Sequence, residues 1–261
     1  DDSNAAAIAD SLANIKLKLS GGATSGLKHR LEVGAFFAGW YALNIYYNII
    51  NKKVLKTVGL PWLVSWCQLV VGAVYALIVG RVGLAGIGAN VRDALPVAVA
   101  HCGQQVTTVI SLGAGAVSFT HIVKASEPVV SAALSAVMLG AFYSPITYLT
   151  LLPIVGGVAL ASLKELSFTW LGFGAAMLSN VSSALRGILA KQTMGGGVGE
   201  NMNETNLYAV MTIMAFAVLL PISLMVETPK AVGSAINAAV KAGTSKKDLA
   251  NLSAMSGAYY Y

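Results

Sequence analysis

The stretch SFTHIVKASEPVVSAALSAVMLG, residues 118–140, places His121, Lys124 and Glu127 within seven residues and then runs apolar to its end. It is long enough to cross a bilayer, and ionisable groups inside such a span are costly and rare. An imidazole, an ammonium and a carboxylate suit three kinds of chemistry: binding an anion, relaying a proton or forming an ion pair. Lys124 and Glu127 stand at i,i+3, the spacing of an internal helix ion pair. Lys124 also lies near enough to a helix end to snorkel toward the headgroups. The functional alternative is an anion ligand facing a pore, with Glu127 and His121 as an ion pair or gate beside it. Of the 17 Lys and Arg residues, only Lys124 and Arg186 fall inside predicted spans.

Polar residues recur at helical spacing in three further apolar stretches. Tyr41, Asn44, Asn48 and Asn51 share one face of the first. His101, Gln104 or Gln105, Thr108 and Ser111 share a face of another, and Ser179, Ser183 and Arg186 a face of a third. Lipid satisfies none of these groups, so parallel stripes predict a shared hydrated cavity. The competing explanation is hydrogen bonding between packed helices, which Ser, Thr, Asn and Gln commonly provide.

The elements that must position these residues are membrane helices. The 261-residue chain is 56% hydrophobic and only 11% charged, less than half the charged fraction of an ordinary soluble domain. Mean hydropathy is +0.69. Spans are predicted at about 31–51, 60–80, 94–114, 118–140, 145–163, 167–190 and 205–226. Residues 1–30 read as an extramembrane tail, 227–248 as a polar loop with amphipathic character, and an eighth span starts near Leu249. The fold class is therefore all-α: a polytopic helical membrane protein with about seven complete spans and the start of another. A β-barrel would need shorter, strictly alternating strands.

The net charge of +6 fits both the usual Lys/Arg enrichment of membrane loops and an anionic substrate. Scattered basic residues without a basic helix or aromatic platform exclude nucleic acid as a partner. Cys67 and Cys102 both fall in spans and form no CxxC, so neither a metal nor a redox site is predicted. No GxSxG, HExxH, P-loop or dinucleotide fingerprint is present, and the protein is not expected to be an enzyme. MGGGVGE lacks the GK[ST] of a phosphate loop and reads as a flexible link. Basic residues divide seven against eight between the two sides, so the positive-inside rule assigns no orientation.

Four blocks carry a resemblance to a known family. FFAGWYALNIYYNIINKKVL, AVSFTHIVKASEPVVSAALSAVMLG, LLPIVGGVALASLKELSFTWLGF and SNVSSALRGILAKQTM resemble the plastid phosphate translocators, in order from about Leu31 to Tyr261. The resemblance implies membership of the drug/metabolite transporter superfamily and ten helices in two inverted five-helix repeats. On that frame residues 31–163 form the first repeat and 164–261 an incomplete second one. The implied activity is antiport of inorganic phosphate against phosphorylated sugars or three-carbon compounds across the inner plastid envelope, with no cofactor.

By position, Lys124 matches the family's phosphate-contacting lysine and Thr108 a hydroxyl that contacts the same group. Arg186 stands at the family's arginine. Gln105 replaces a histidine of the triose-phosphate members, and Ser183 replaces a phenylalanine. Both positions touch the carbon part of the family's substrates, so the resemblance implies retained phosphate recognition with altered sugar preference. A Lys-Arg pair of the family's ninth helix would lie beyond Tyr261. A nucleotide-sugar carrier of the same superfamily is the alternative within transport. A degenerate translocator, acting as a structural subunit with protein partners in a larger membrane assembly, is the alternative outside it.

Overall fold

The computed structural model describes residues 2–79, 91–195 and 204–260, with side chains from residue 27 onward except 79, 91 and 92. The links expected around 81–90 and at the glycine-rich 196–203 lie outside the described residues, as do the side chains of Lys16, Lys18 and Arg92. Every regular element among the described residues is helical. They are α1 (Asp2–Val58), α2 (Pro61–Val79), α3 (Val91–Ala114), α4 (Val117–Lys124), α5 (Glu127–Leu139), α6 (Pro145–Lys164), α7 (Trp170–Gly195), α8 (Glu204–Val226), α9 (Pro229–Lys241) and α10 (Lys246–Tyr260).

The chain forms two compact units, residues 1–45 and 46–261. The first is helical and exposes Phe36, Phe37 and Trp40. Its Lys28 and Glu32 form an exposed i,i+4 ion pair at 3.9 Å.

The second unit holds the polar stripes of the later spans. α3 and α7 pack along each other at its centre; α4 and α5 lie against α7, and α2 and α8 against α3. Among the described residues, four segments have the length and apolar composition to cross a membrane: Pro61–Ile78, Val117–Leu139, Pro145–Lys164 and Glu204–Val226. α6 buries no residue inside the protein, as expected of a helix that is apolar all round and faces lipid. Among the described residues α3 and α7 each bury four polar side chains, more than any other helix, which lowers their hydropathy below that of α2 and α8.

Local sequence explains the boundaries. Ser144 and Thr228 cap α6 and α9, accepting from Thr147 N and Ala231 N at 3.4 Å each, with a proline next in both cases. α9 is a correction to the polar loop expected at 227–248. Its amphipathic sequence forms a 13-residue helix that buries Ala239. The span expected as one helix over 118–140 is interrupted at Ala125 and Ser126. Pro128 supplies no amide hydrogen to the Lys124 carbonyl four residues earlier, so the regular ladder fails at the lysine.

Charged side chains close two helix ends on the side where α1 finishes. Lys52 Nζ donates to the carbonyls of Leu112 at 2.5 Å and Gly115 at 2.6 Å, the carbonyls left free at the end of α3. Glu227 accepts from Trp62 N at 2.9 Å and Leu63 N at 2.8 Å, the free amides at the start of α2. Burial pushes the Glu227 carboxyl above its ordinary value, and the two amide bonds pull it partly back. α10 crosses α2 closely at Gly257, where a Cβ would come within 2.6 Å of Val71 Cγ2.

Candidate functional site

Lys124 ends α4 at the point where the fourth span breaks, and its ammonium turns toward α3 and α7. Nζ lies 2.7 Å from Ser179 Oγ on α7 and 3.4 Å from Thr108 Oγ1 on α3. The two hydroxyls are themselves 2.7 Å apart, and Thr108 Oγ1 also donates to the Gln104 carbonyl at 2.7 Å. Three helices thus meet on one half-buried ammonium. No carboxylate reaches it: the one ion pair found among the described residues is Lys28–Glu32. Glu127 instead accepts from Ser183 Oγ on α7 at 2.6 Å. The internal Lys124–Glu127 pair that the i,i+3 spacing allowed is not formed, because the break removes the continuous helix it requires. Glu127 and Arg186 both lie within electrostatic reach of Lys124, the first attracting it and the second repelling it.

Arg186 follows Ser183 by one turn of α7. Its Nε is buried and has no hydrogen-bond partner in the protein. A buried guanidinium nitrogen without an acceptor is costly unless a ligand supplies one. Lys124 and Arg186 therefore bring donors and positive charge into one region with too few protein acceptors, which is the chemistry of an anion site.

Gln105 lies one turn before Thr108 but belongs to a neighbouring network. Its Nε2 donates to Gln68 Oε1 on α2. Gln68 Nε2 in turn donates to Asn51 Oδ1 at 3.1 Å and to Ser256 Oγ on α10 at 2.6 Å. Asn51 Nδ2 donates to Tyr47 Oη at 3.2 Å. This amide ladder is buried and ties α1, α2, α3 and α10 together, leaving Gln105 Oε1 without a partner. His121 is exposed one turn before Lys124 and makes no hydrogen bond to the cluster among the described residues.

The other interior polar groups serve packing. Ser111 Oγ lies 2.9 Å from Thr120 Oγ1 and donates to the Gly172 carbonyl at 2.8 Å, joining α3, α4 and α7. The stripes thus divide: the Thr108 level meets a charge, and the Ser111 level is interhelical hydrogen bonding. Two contributors give no signal in the sequence. Asn180, fully buried, donates from Nδ2 to the Val123 carbonyl at 3.0 Å and to Ser126 Oγ at 3.2 Å. Gln68 is the hub of the amide ladder. Asn180 sits beside Ser179 and three residues before Ser183, and nothing in the sequence marks the backbone carbonyl it donates to. Gln68 is a lone amide in an apolar helix.

The geometry is that of an ammonium held by two hydroxyls, with no carboxylate at ion-pair distance, at the junction of three helices, and comparison with known proteins gives it a family. Residues 31–261 match the Triose-phosphate Transporter family model. The chain belongs to the triose-phosphate transporter family. It is 44% identical over 214 residues to the triose phosphate/phosphate translocator of Pisum sativum, covering 80% of this chain and 52% of that protein. It is 42% identical over 218 residues to phosphoenolpyruvate/phosphate translocator 1 of Oryza sativa subsp. japonica, covering 82% and 53%. It is 39% identical over 205 residues to glucose-6-phosphate/phosphate translocator 1 of Arabidopsis thaliana, covering 77% and 52%. All three carry the description chloroplastic. The chain spans about half the length of these curated relatives. Among triose-phosphate transporter relatives the named organic substrate varies from triose phosphate through phosphoenolpyruvate to glucose 6-phosphate, while phosphate is named in each.

Proposed function

We propose that this protein is a multi-pass antiporter of the plastid inner envelope that exchanges inorganic phosphate for phosphorylated three-carbon compounds or sugars. The observation that carries the reading is the Lys124 ammonium, held by Ser179 and Thr108 with no carboxylate within ion-pair distance. Lys124 binds the phosphate group. Thr108 fixes the lysine and offers its hydroxyl to the same anion. Arg186 supplies the second positive charge. Gln105 and Ser183 face the carbon end of the ligand, and Glu127, held by Ser183, tunes the local charge. The reading needs no cofactor and no covalent chemistry. Residues 31–163 act as the first five-helix repeat and 164–261 as part of the second.

The test is counter-exchange in liposomes preloaded with phosphate, challenged with triose phosphate, phosphoenolpyruvate, pentose phosphate and hexose phosphate. Exchange with at least one of them is expected, and none without a phosphate group. Exchange of unphosphorylated sugars at equal rates would contradict the reading.

The residue at 183 makes the specificity testable. A phenylalanine there would add bulk at a buried position and remove the hydroxyl that Glu127 accepts from. Ser183→Phe is expected to narrow exchange toward unbranched triose phosphate by about tenfold against bulkier or C2-substituted competitors, the usual worth of a pocket-filling change. Ser183→Ala separates loss of the hydroxyl from loss of space. A strict triose-phosphate profile in the unaltered protein, unchanged in Ser183→Phe, would remove Ser183 from the specificity account.

A further inference from the structure

The Lys124 side chain is steered by hydroxyls, but its backbone is steered by a different residue. We infer that Asn180 is a positioning residue for anion binding: it fixes the break in the fourth span and thereby aims Lys124. The inference rests on the reading of Lys124 as the phosphate ligand.

The Val123 carbonyl, immediately before the lysine, is where the helix leaves its regular ladder. It accepts from three donors: Ser126 N at 3.0 Å, Ser126 Oγ at 2.7 Å and Asn180 Nδ2 at 3.0 Å. Asn180 Nδ2 also reaches Ser126 Oγ at 3.2 Å, so one amide group spans both sides of the break. Asn180, Val123 and Ser126 are all buried. Broken backbone at membrane depth persists only where protein groups satisfy it. The neighbouring residue, Ser179, holds the Lys124 ammonium at 2.7 Å. Two consecutive residues of α7 therefore grip the lysine, one by its side chain and one through its backbone. Without the amide, the Val123 carbonyl keeps only the two donors of Ser126, on its own chain segment, and nothing on α7 ties the break in place, so α4 can straighten or shift against α5. Either movement swings the last residue of α4 and misplaces its ammonium relative to Thr108 and Arg186. A misplacement of this kind weakens ligand binding rather than removing the ligand group.

The experiment measures phosphate counter-exchange by the full-length protein in liposomes, with KM and maximal rate obtained separately for Asn180→Leu, Ser126→Ala and Lys124→Ala. Leucine keeps the volume of asparagine and donates no hydrogen bond. Asn180→Leu is expected to raise KM for phosphate about tenfold, with the maximal rate per folded carrier within about threefold. A purely structural role would lower the amount of folded carrier and its maximal rate and leave KM unmoved. KM unchanged in correctly inserted Asn180→Leu overturns the inference. If that variant does not insert, Ser126→Ala decides: a smaller KM rise of about threefold supports the assignment, and none overturns it. Normal exchange by Lys124→Ala would instead sink the anion-site reading itself. An inactive Lys124→Ala beside unchanged KM in the other variants would sink only the role of Asn180.

Discussion

Lys124→Ala is expected to lower phosphate exchange by about a hundredfold while leaving the protein folded. The size follows from what is removed, a charge-assisted hydrogen bond between an ammonium and a phosphate in a partly desolvated site. Retained folding follows from what remains. Thr108 and Ser179 lie 2.7 Å from each other, and both reach the Gln104 carbonyl, at 2.7 and 3.3 Å. They stay satisfied without the lysine. Lys124→Met, which keeps the length of the side chain, should be equally inactive, because charge and not bulk is at issue. Exchange rates in liposomes and thermal unfolding in detergent check both halves. Normal exchange in either variant would mean that the lysine is a structural post.

The second large effect lies in the amide ladder, and it falls on stability. Gln68 bridges Gln105, Asn51 and Ser256, all of them buried. Gln68→Leu fits the volume but strands three polar groups, and each unsatisfied buried group costs about 1–3 kcal/mol. Several kcal/mol is a large share of a domain's stability, so a strong loss of folded carrier is expected. Gln68→Glu should be no milder, since its carboxylate still accepts from Gln105 but buries an unpaired charge against the Asn51 Oδ1 acceptor. The measurement is the unfolding temperature and yield of monodisperse protein. Wild-type stability in Gln68→Leu would show that lipid or water satisfies these groups.

Much of this arrangement is legible in the sequence, for identifiable reasons. Apolar length locates four of the seven expected spans as candidates among the described residues, and helical spacing picks out Thr108, Ser179, Ser183 and Arg186. Lys124 is conspicuous because charge is rare at membrane depth. Spacing also allows a Lys124–Glu127 ion pair, which the structure does not form. Pro128 breaks the helix between them, and Ser183 takes up the carboxylate. Only the resemblance marks Gln105 as ligand-facing, whereas the structure buries it and ties its Nε2 to Gln68. Its partner Gln68 is not foreseeable, because the contact joins α3 to α2 and no local pattern in either helix encodes it. Asn180 escapes for a related reason. Its acceptor is a backbone carbonyl, and a carbonyl becomes available only where a helix fails. The amphipathic run at 229–241 has the right periodicity for a helix, but its polar flanks make it resemble a loop.

The central claim of the proposed function is that the site around Lys124 and Arg186 works as an exchanger. Arg186 repels Lys124 while Glu127 attracts it, so closing an empty site around the two cations and one carboxylate would still bury one uncompensated charge, at a cost of several kcal/mol. A bound phosphate or sugar phosphate removes most of that cost, so the closed state becomes accessible chiefly with anion aboard. The lysine is then both ligand and gate. The most direct measurement is phosphate efflux from preloaded vesicles into buffer, with and without external phosphate. The account predicts negligible efflux into phosphate-free buffer and rapid efflux once phosphate is added outside. Equal efflux under both conditions would show uniport and contradict it.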